Sequence, residues 1–173
     1  MKTSGITEII FRALNNTIYD IGVIFGRGSL TQKLRKLEPG YKEWEINRAL
    51  SRLERDGFLE KRKGGISVTT RGKERVSKYA YKHLSFNPPS KKCNPEWILI
   101  IFDIPESKRN LRKLFREKIK EWNCTKIQQS VFISPFDCGK EIWKLVIILR
   151  IQPFVRVFKI LDSEKLLSKY CKN

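Results

Sequence analysis

The sequence predicts an α+β chain of two small domains, a helical domain closed by a β-hairpin and then a domain of β-α-β-β-α-β order. Three observations predict it. A proline-rich stretch, Ser85-Phe-Asn-Pro-Pro-Ser-Lys-Lys-Cys-Asn-Pro95, interrupts the chain near its midpoint, and its prolines can continue neither a helix nor a central strand. Before it, apolar residues recur at helical spacing; after it, Trp97-Ile-Leu-Ile-Ile-Phe102 is an uninterrupted strand-sized run. The expected boundaries are 1–84 for the first domain, 85–95 for the linker and 96–173 for the second domain. With 173 residues and 40% hydrophobic content, each half can bury a core, which excludes a disordered basic tail.

In the first domain, Ile6, Ile9, Ile10, Ala13, Ile18, Ile21 and Phe25 mark a helix over Ile6–Phe25, with a break at Asn15-Asn16. Gly26-Arg-Gly-Ser29 is read as its terminator, followed by a short helix over Leu30–Leu37. From Tyr41 to Asp56, Ile46, Ala49, Leu50 and Leu53 form one apolar face, and Gly57 suits the position just past the helix end. The opposite face carries Asn47, Arg48, Ser51, Arg52 and Arg55, with Lys42 at the helix start. Two short strands around Gly64-Gly65 predict a hairpin with a tight primed turn, tipped by Lys61, Arg62 and Lys63. A helix over about Arg71–His83 closes the domain.

This order is that of a winged helix-turn-helix, in which one helix enters the major groove and the hairpin lies along the backbone. The side chains suit it: Arg bonds guanine bidentately, Asn reads adenine, and Ser contacts base or phosphate. The segment Ile46-Asn-Arg-Ala-Leu-Ser-Arg-Leu-Glu-Arg-Asp-Gly-Phe-Leu59, with Thr69-Thr-Arg-Gly-Lys73, is similar to winged-helix transcription regulators.

Charge points the same way. The chain carries 36 Lys/Arg against 18 Asp/Glu, a formal net charge of +18, divided equally between residues 1–86 and 87–173. A field of this size on folded domains favours a polyanion, with double-stranded DNA ahead of a lipid surface. No apolar run approaches the roughly 20 residues of a membrane span, and no secretory h-region follows Met1, so no membrane partner and a cytoplasmic location are expected. Cys93, Cys124, Cys138 and Cys171 form no C-x-x-C pair, and His83 is the only histidine. A zinc site and Ser–His or Cys–His catalysis are therefore disfavoured, and reduced thiols are expected.

In the second domain, Trp97–Phe102 is read as a central strand buried on both faces. A helix over about Lys108–Trp122 buries Leu111, Leu114, Phe115, Ile119 and Trp122, and shows Arg109, Arg112, Lys113, Arg116 and Lys120 on its other face. Lys126–Ser134 is read as two strands bent at Gln129-Ser130, Lys140–Leu149 as a helix, Phe154–Leu161 as a strand and Ser163–Tyr170 as a terminal helix. The result is a ferredoxin-like split βαβ sandwich. Trp44, Trp122 and Trp143 have faces that can stack on bases, but their helical spacing assigns them to cores. Asp103 is expected to turn the chain out of its strand and help cap the following helix.

Trp97-Ile-Leu-Ile-Ile-Phe-Asp-Ile-Pro-Glu106 with Arg109 and Arg112, then Ile127-Gln-Gln-Ser-Val-Phe-Ile-Ser-Pro135, resembles the central domain of the PaaX family. Those are repressors of phenylacetate degradation, with a winged helix ahead of a domain similar to the CRISPR-associated Cas-two endonuclease. The resemblance covers roughly residues 5 to 165, without the family's additional C-terminal domain. It implies a homodimeric, sequence-specific DNA-binding regulator, a repressor in that family, with no cofactor. Its alternative implication concerns Asp103, which matches the Cas-two aspartate that faces its symmetry mate and can hold Mg²⁺. That reading is a Mg²⁺-dependent endonuclease, with Asp103 as the catalytic and metal-ligating candidate. A third implication is a non-catalytic scaffold that holds DNA for a CRISPR integrase partner.

Overall fold

A computed structural model describes residues 3–15, 26–37, 39–88, 96–161 and 167, and the chain divides into two compact units, Met1–His83 and Leu84–Asn173. The first runs α1 (Thr3–Asn15), α2 (Arg27–Leu37), α3 (Glu43–Arg55), β1 (Leu59–Arg62), β2 (Gly65–Val68) and α4 (Thr70–His83), the element order expected of a winged helix-turn-helix. Residues 16–25 of the expected first helix lie outside the described residues. The segment read as a terminator instead starts α2. Ser29 Oγ donates to the Gly26 carbonyl at 2.8 Å and the Leu30 N–H reaches the same oxygen at 3.0 Å, so the first turn forms on Gly26. Ile6, Ile10 and Leu14 of α1 pack with Leu30 and Leu34 of α2 and Leu50 of α3, each at most 5% exposed. Each such side chain contributes about 1.5–3 kcal/mol. The exposed Arg35–Glu43 pair that spans α2 and α3 at 3.4 Å contributes only about 0–1 kcal/mol. Apolar packing therefore sets the helix arrangement.

The second unit runs β3 (Glu96–Phe102), α5 (Arg109–Glu121), β4 (Thr125–Gln128), β5 (Val131–Ser134), α6 (Gly139–Ile148) and β6 (Val155–Leu161), with single 3₁₀ turns at Glu106–Lys108 and Gln152–Phe154. Its sheet has the order β4-β5-β3-β6 and is antiparallel throughout, which makes the unit a ferredoxin-like α+β sandwich. Ladder pairing shifts register between Lys126 and Gln128 of β4. The face bearing Ile98, Ile100 and Phe102 is buried, and the Phe102 ring meets Phe115 of α5 edge-on at 5.3 Å and Phe132 of β5 in a stack at 5.9 Å. The other face corrects the expectation that β3 is buried on both sides. Trp97 is covered, but Leu99 is half-buried and Ile101 is 40% exposed. An antiparallel sheet has no crossover helices that must pack on both faces, and all-apolar composition alone does not reveal this. Trp122 is buried, with Phe86 beside it at 6.2 Å, so Phe86 of the expected linker belongs to this unit's core. Trp143 is 45% exposed on α6, contrary to its expected core position. Residues 89–95 of the expected linker lie outside the described residues, as does the expected terminal helix except for Leu167.

Where α3, the hairpin and α4 meet, the backbone is closely constrained. Gly57, at φ +74°, ends α3, its N–H bonding the Glu54 carbonyl at 3.0 Å while the Phe58 N–H bonds Leu53 at 2.9 Å. This is a Schellman closure, which favours glycine at the left-handed position. Thr69 Oγ1 donates to the Gly57 and Phe58 carbonyls at 2.7 and 3.2 Å and accepts from the Gly72 N–H at 3.0 Å, thereby capping α4. A β-carbon at Gly72 would lie 2.1 Å from the Phe58 carbonyl oxygen and 2.7 Å from a Val68 methyl. Alanine gains up to about 1 kcal/mol of helix propensity over glycine. Overpacking against fixed backbone costs about 1–3 kcal/mol, so the clash wins. Gly72→Ala is expected to destabilise the first unit by about 1–2 kcal/mol in denaturant unfolding, and an unchanged or raised midpoint would contradict the close approach.

Candidate nucleic-acid interface

Helix α3 has the apolar stripe and the charge to present one face outward. Ile46, Leu50 and Leu53 are buried, and Ala49 is half-buried beside them. At its start the Lys42 N–H donates to the Glu45 carboxylate at 2.9 Å, which satisfies one of the donors a helix start leaves free, and the Lys42 side chain is exposed. The face opposite the core carries Trp44, Arg48, Ser51 and Arg55, at i, i+4, i+7 and i+11. Arg48 and Arg55 are exposed, Ser51 is half-buried, and Trp44 is 59% exposed. Trp44 was assigned to the core on spacing and is instead part of this outer stripe. Its phase relative to Arg48 and Arg55, and its position between Glu43 and Glu45, are the signals that distinguish it.

The remaining α3 candidates lie on the flanks. Asn47 is half-buried, and its amide oxygen accepts from the hydroxyl of Thr31, a buried residue of α2, at 3.2 Å. This contact ties α2 to α3 and takes one of the two acceptor sites on the Asn47 amide oxygen. Arg52 is exposed on the flank turned toward α1 and α4.

The hairpin departs from a primed turn. Its two-residue loop is Lys63-Gly64, with Arg62 paired to Gly65, and among the described non-glycine residues only Asn123 and Arg150 have positive φ. Primed turns need positive φ at the first loop position, which Lys63 lacks; Gly64, at φ +97°, holds the second. Lys61, Arg62 and Lys63 are all exposed at this tip, but not equivalently. Arg62 is held by Glu60 through Nε at 3.0 Å and Nη2 at 2.7 Å, and Ser67 Oγ adds a third bond to that carboxylate oxygen at 3.0 Å. The Arg62 guanidinium and then the Ser67 hydroxyl hold the Glu60 carboxyl below its ordinary pKa. Among the described residues, no ion pair engages Lys61 or Lys63, so the tip presents two uncommitted cations and one committed.

In the second unit, much of the α5 charge works internally. Arg112 donates to the Ile104 carbonyl at 3.3 Å and pairs with Glu106, which fixes the turn after β3. Lys113 lies 3.9 Å from Glu117, and Lys118, buried, is 3.0 Å from Glu121. Arg109 and Lys120 are exposed and Arg116 half-buried on the same helix.

Asp103 is exposed at the end of β3, its N–H bonding the Phe154 carbonyl at 2.8 Å. It does not cap a helix: Pro105 and Lys108 occupy the starts of the 3₁₀ turn and of α5, neither with a side-chain cap. Its neighbour Glu106 is committed to Arg112, and among the described residues no group of three or more His, Cys, Asp or Glu side chains converges. Cys124 and Cys138 are buried and free, whereas Cys93 and Cys171 lie outside the described residues. Hydrogen bonding to Cys138, then burial, pushes the Cys124 thiol up, away from nucleophilic thiolate. No described helix is long and apolar enough to cross a membrane.

Residues 90–166 match the family model described as the PaaX protein central Cas2-like domain. No curated protein matches the chain. Among solved structures it is similar to the uncharacterized protein Rv0674 from Mycobacterium tuberculosis, at 16% identity and a TM-score of 0.34, over 91% of this chain and 64% of that one. The chain therefore spans less than two thirds of that protein's length.

The Glu60 contacts make a local prediction. Glu60 is depressed in the folded state, so the stability it contributes is present above its unfolded pKa and is lost as pH falls through the folded value. In carboxyl-detected NMR titration Glu60 should titrate below 4.5, and Arg62→Ala should move it back up. A Glu60 titration indifferent to Arg62 would show that the wing contact does not persist in solution.

Proposed function

We propose that this chain, a member of the PaaX family by its central Cas2-like domain at residues 90–166, is a sequence-specific DNA-binding transcriptional regulator that acts as a homodimer. The observation that carries the reading is the outer stripe of α3, Trp44, Arg48, Ser51 and Arg55, beside a hairpin tipped by Lys61 and Lys63. As a winged helix, the first unit would insert α3 in the major groove, with Arg48 and Arg55 toward base edges and Trp44 packed on sugar or a thymine methyl. The wing lysines would take phosphates, giving affinity without sequence preference.

The second unit supplies a reason for dimerisation. On the less covered sheet face, register places Ile101 beside Val131 and Leu99 beside Phe158, and Ile101 and Phe158 are 40% and 47% exposed. A second copy of this face would bury them isologously, and the two-fold would present two α3 helices to half-sites related by dyad symmetry. The nuclease reading has weaker support, because Glu106, the acidic neighbour of Asp103, is committed to Arg112, and among the described residues no group of three or more ligating side chains converges.

Selection of bound duplexes from a random library should return a palindrome, and unselective retention or shortened DNA would overturn the regulator reading. Arg48→Ala and Arg55→Ala should each cost about 1–3 kcal/mol on the selected site and relax its preference. Equal binding by wild type and the Arg48/Arg55 double mutant would remove the assignment of α3. Lys61→Ala/Lys63→Ala should weaken all sequences alike and lower the slope of log K against log salt by roughly 2. Phe158→Glu should shift the protein to monomer in sedimentation; an unchanged dimer would place the interface elsewhere.

A further inference from the structure

The first unit holds a second cationic feature, off the outer stripe of α3. A cleft of about 570 Å³ opens between α1, α3 and α4. Arg75, Lys78 and Lys82 line it from α4, at i, i+3 and i+7, so they form one row, and Arg52 reaches it from α3. Among the described lining residues Glu8 is the one carboxylate, against these four cations. Tyr79 and His83 also line it, their rings 4.3 Å apart and tilted by 35°.

Helix electrostatics explains part of this arrangement and not the rest. Lys82 and His83 stand in the last turn of α4, where positive charge complements the helix dipole. Arg75 and Lys78 stand earlier in the helix and Arg52 comes from another, so the dipole gives no reason for them to converge. Some bases elsewhere are held by carboxylates, Arg35 by Glu43, Arg62 by Glu60 and Arg112 by Glu106. Among the described residues, no ion pair joins Arg52, Arg75, Lys78 or Lys82 to a carboxylate. Like charges gathered around one hollow repel one another, and a multiply charged anion relieves that repulsion.

We propose that this cleft binds adjacent phosphates. The row from Arg75 to Lys82 covers about 10 Å of helix, enough for two or three successive phosphates of one strand at a rise of about 3.4 Å per nucleotide. Arg guanidinium supplies paired donors to phosphate oxygens, and Lys supplies point charge. The phosphates come from the DNA backbone or from a free polyphosphate-bearing small molecule. The DNA form rests on the reading of α3 as the groove helix, since Arg52 would then join base-reading face to backbone contact; the small-molecule form does not rest on it.

The test uses the full chain, its Arg75→Ala/Lys78→Ala/Lys82→Ala variant, and a Lys61→Ala/Lys63→Ala control that removes charge outside the cleft. Inorganic tripolyphosphate is titrated calorimetrically at low salt, and the salt slope is measured on selected and random duplexes. The wild type should bind tripolyphosphate, the cleft variant about tenfold or more weakly, and the wing control nearly as wild type. If the cleft variant also lowers the DNA salt slope by roughly 2 to 3 on both duplexes, the phosphates are those of the backbone. If it loses tripolyphosphate with an unchanged DNA slope, they belong to a small molecule. Tripolyphosphate binding that is absent in wild type, unchanged in the cleft variant, or lost equally in the wing control overturns the cleft. A wild type that binds tripolyphosphate but no duplex overturns the regulator reading and leaves the cleft standing. The three replaced side chains are exposed; should the triple variant nonetheless fail to fold by circular dichroism, Lys78→Glu decides by the same readouts.

Discussion

The first unit depends on the clasp between Gly57-Phe58 and Thr69–Gly72. Thr69 bonds the carbonyls at the end of α3 and caps the start of α4 with the same hydroxyl. Arg71 adds a bond to the Asp56 carbonyl at 3.2 Å and lies over the Phe58 ring at 5.0 Å. Between those two ends the chain makes the hairpin, so one contact fixes the exit of the outer-stripe helix, the root of the wing and the entry of the cleft helix. Each bond alone contributes about 1 kcal/mol. Together they remove the freedom that three independently hinged elements would have, and the close approach at Gly72 makes the arrangement intolerant of a side chain.

Charge has two uses in this molecule. The Glu60–Arg62 and Glu106–Arg112 pairs lie within a single turn or hairpin and hold local geometry. Exposed pairs of this sort add little to stability. The cations that lack such partners among the described residues, on the α3 stripe, at the hairpin tip and around the α4 cleft, are the ones a polyanion would meet without first displacing a carboxylate. The net charge of +18 is therefore a poor measure of what the surface offers. Arg112 counts toward the total but is spent on the turn after β3.

Much of the fold was legible because its signals were local. Gly57 at a helix end, a hairpin turning at Gly64, and Trp97–Phe102 as a central strand all depend on residues close in sequence. What failed was orientation, which depends on distant partners. Spacing put Trp44 and Trp143 into cores, because an aromatic at a helical interval reads identically whether its face is covered or bare. Spacing also gave no sign that Thr31, sixteen residues earlier, bonds the Asn47 amide oxygen. The cleft was invisible because it joins Arg52 to Arg75, Lys78 and Lys82 on a different helix; only the row on α4 could have been seen as a pattern. Gly26–Ser29 was misread because glycine near a helix boundary marks a start as well as an end.

The register shift in β4 bears on which rim of the sheet could recruit another strand. An open sheet has two outer strands whose backbone donors and acceptors can recruit a neighbour's strand. β4 is four residues long, broken between Lys126 and Gln128, and a poor template for that growth. β6 is regular over seven residues, and along it Arg156 and Lys159 would bring like charges together in self-pairing, with Lys159 partly compensated by Glu96 at 2.6 Å. One rim of the sheet is thus protected by geometry and the other by electrostatic repulsion, so crowding at high salt should expose β6 before β4.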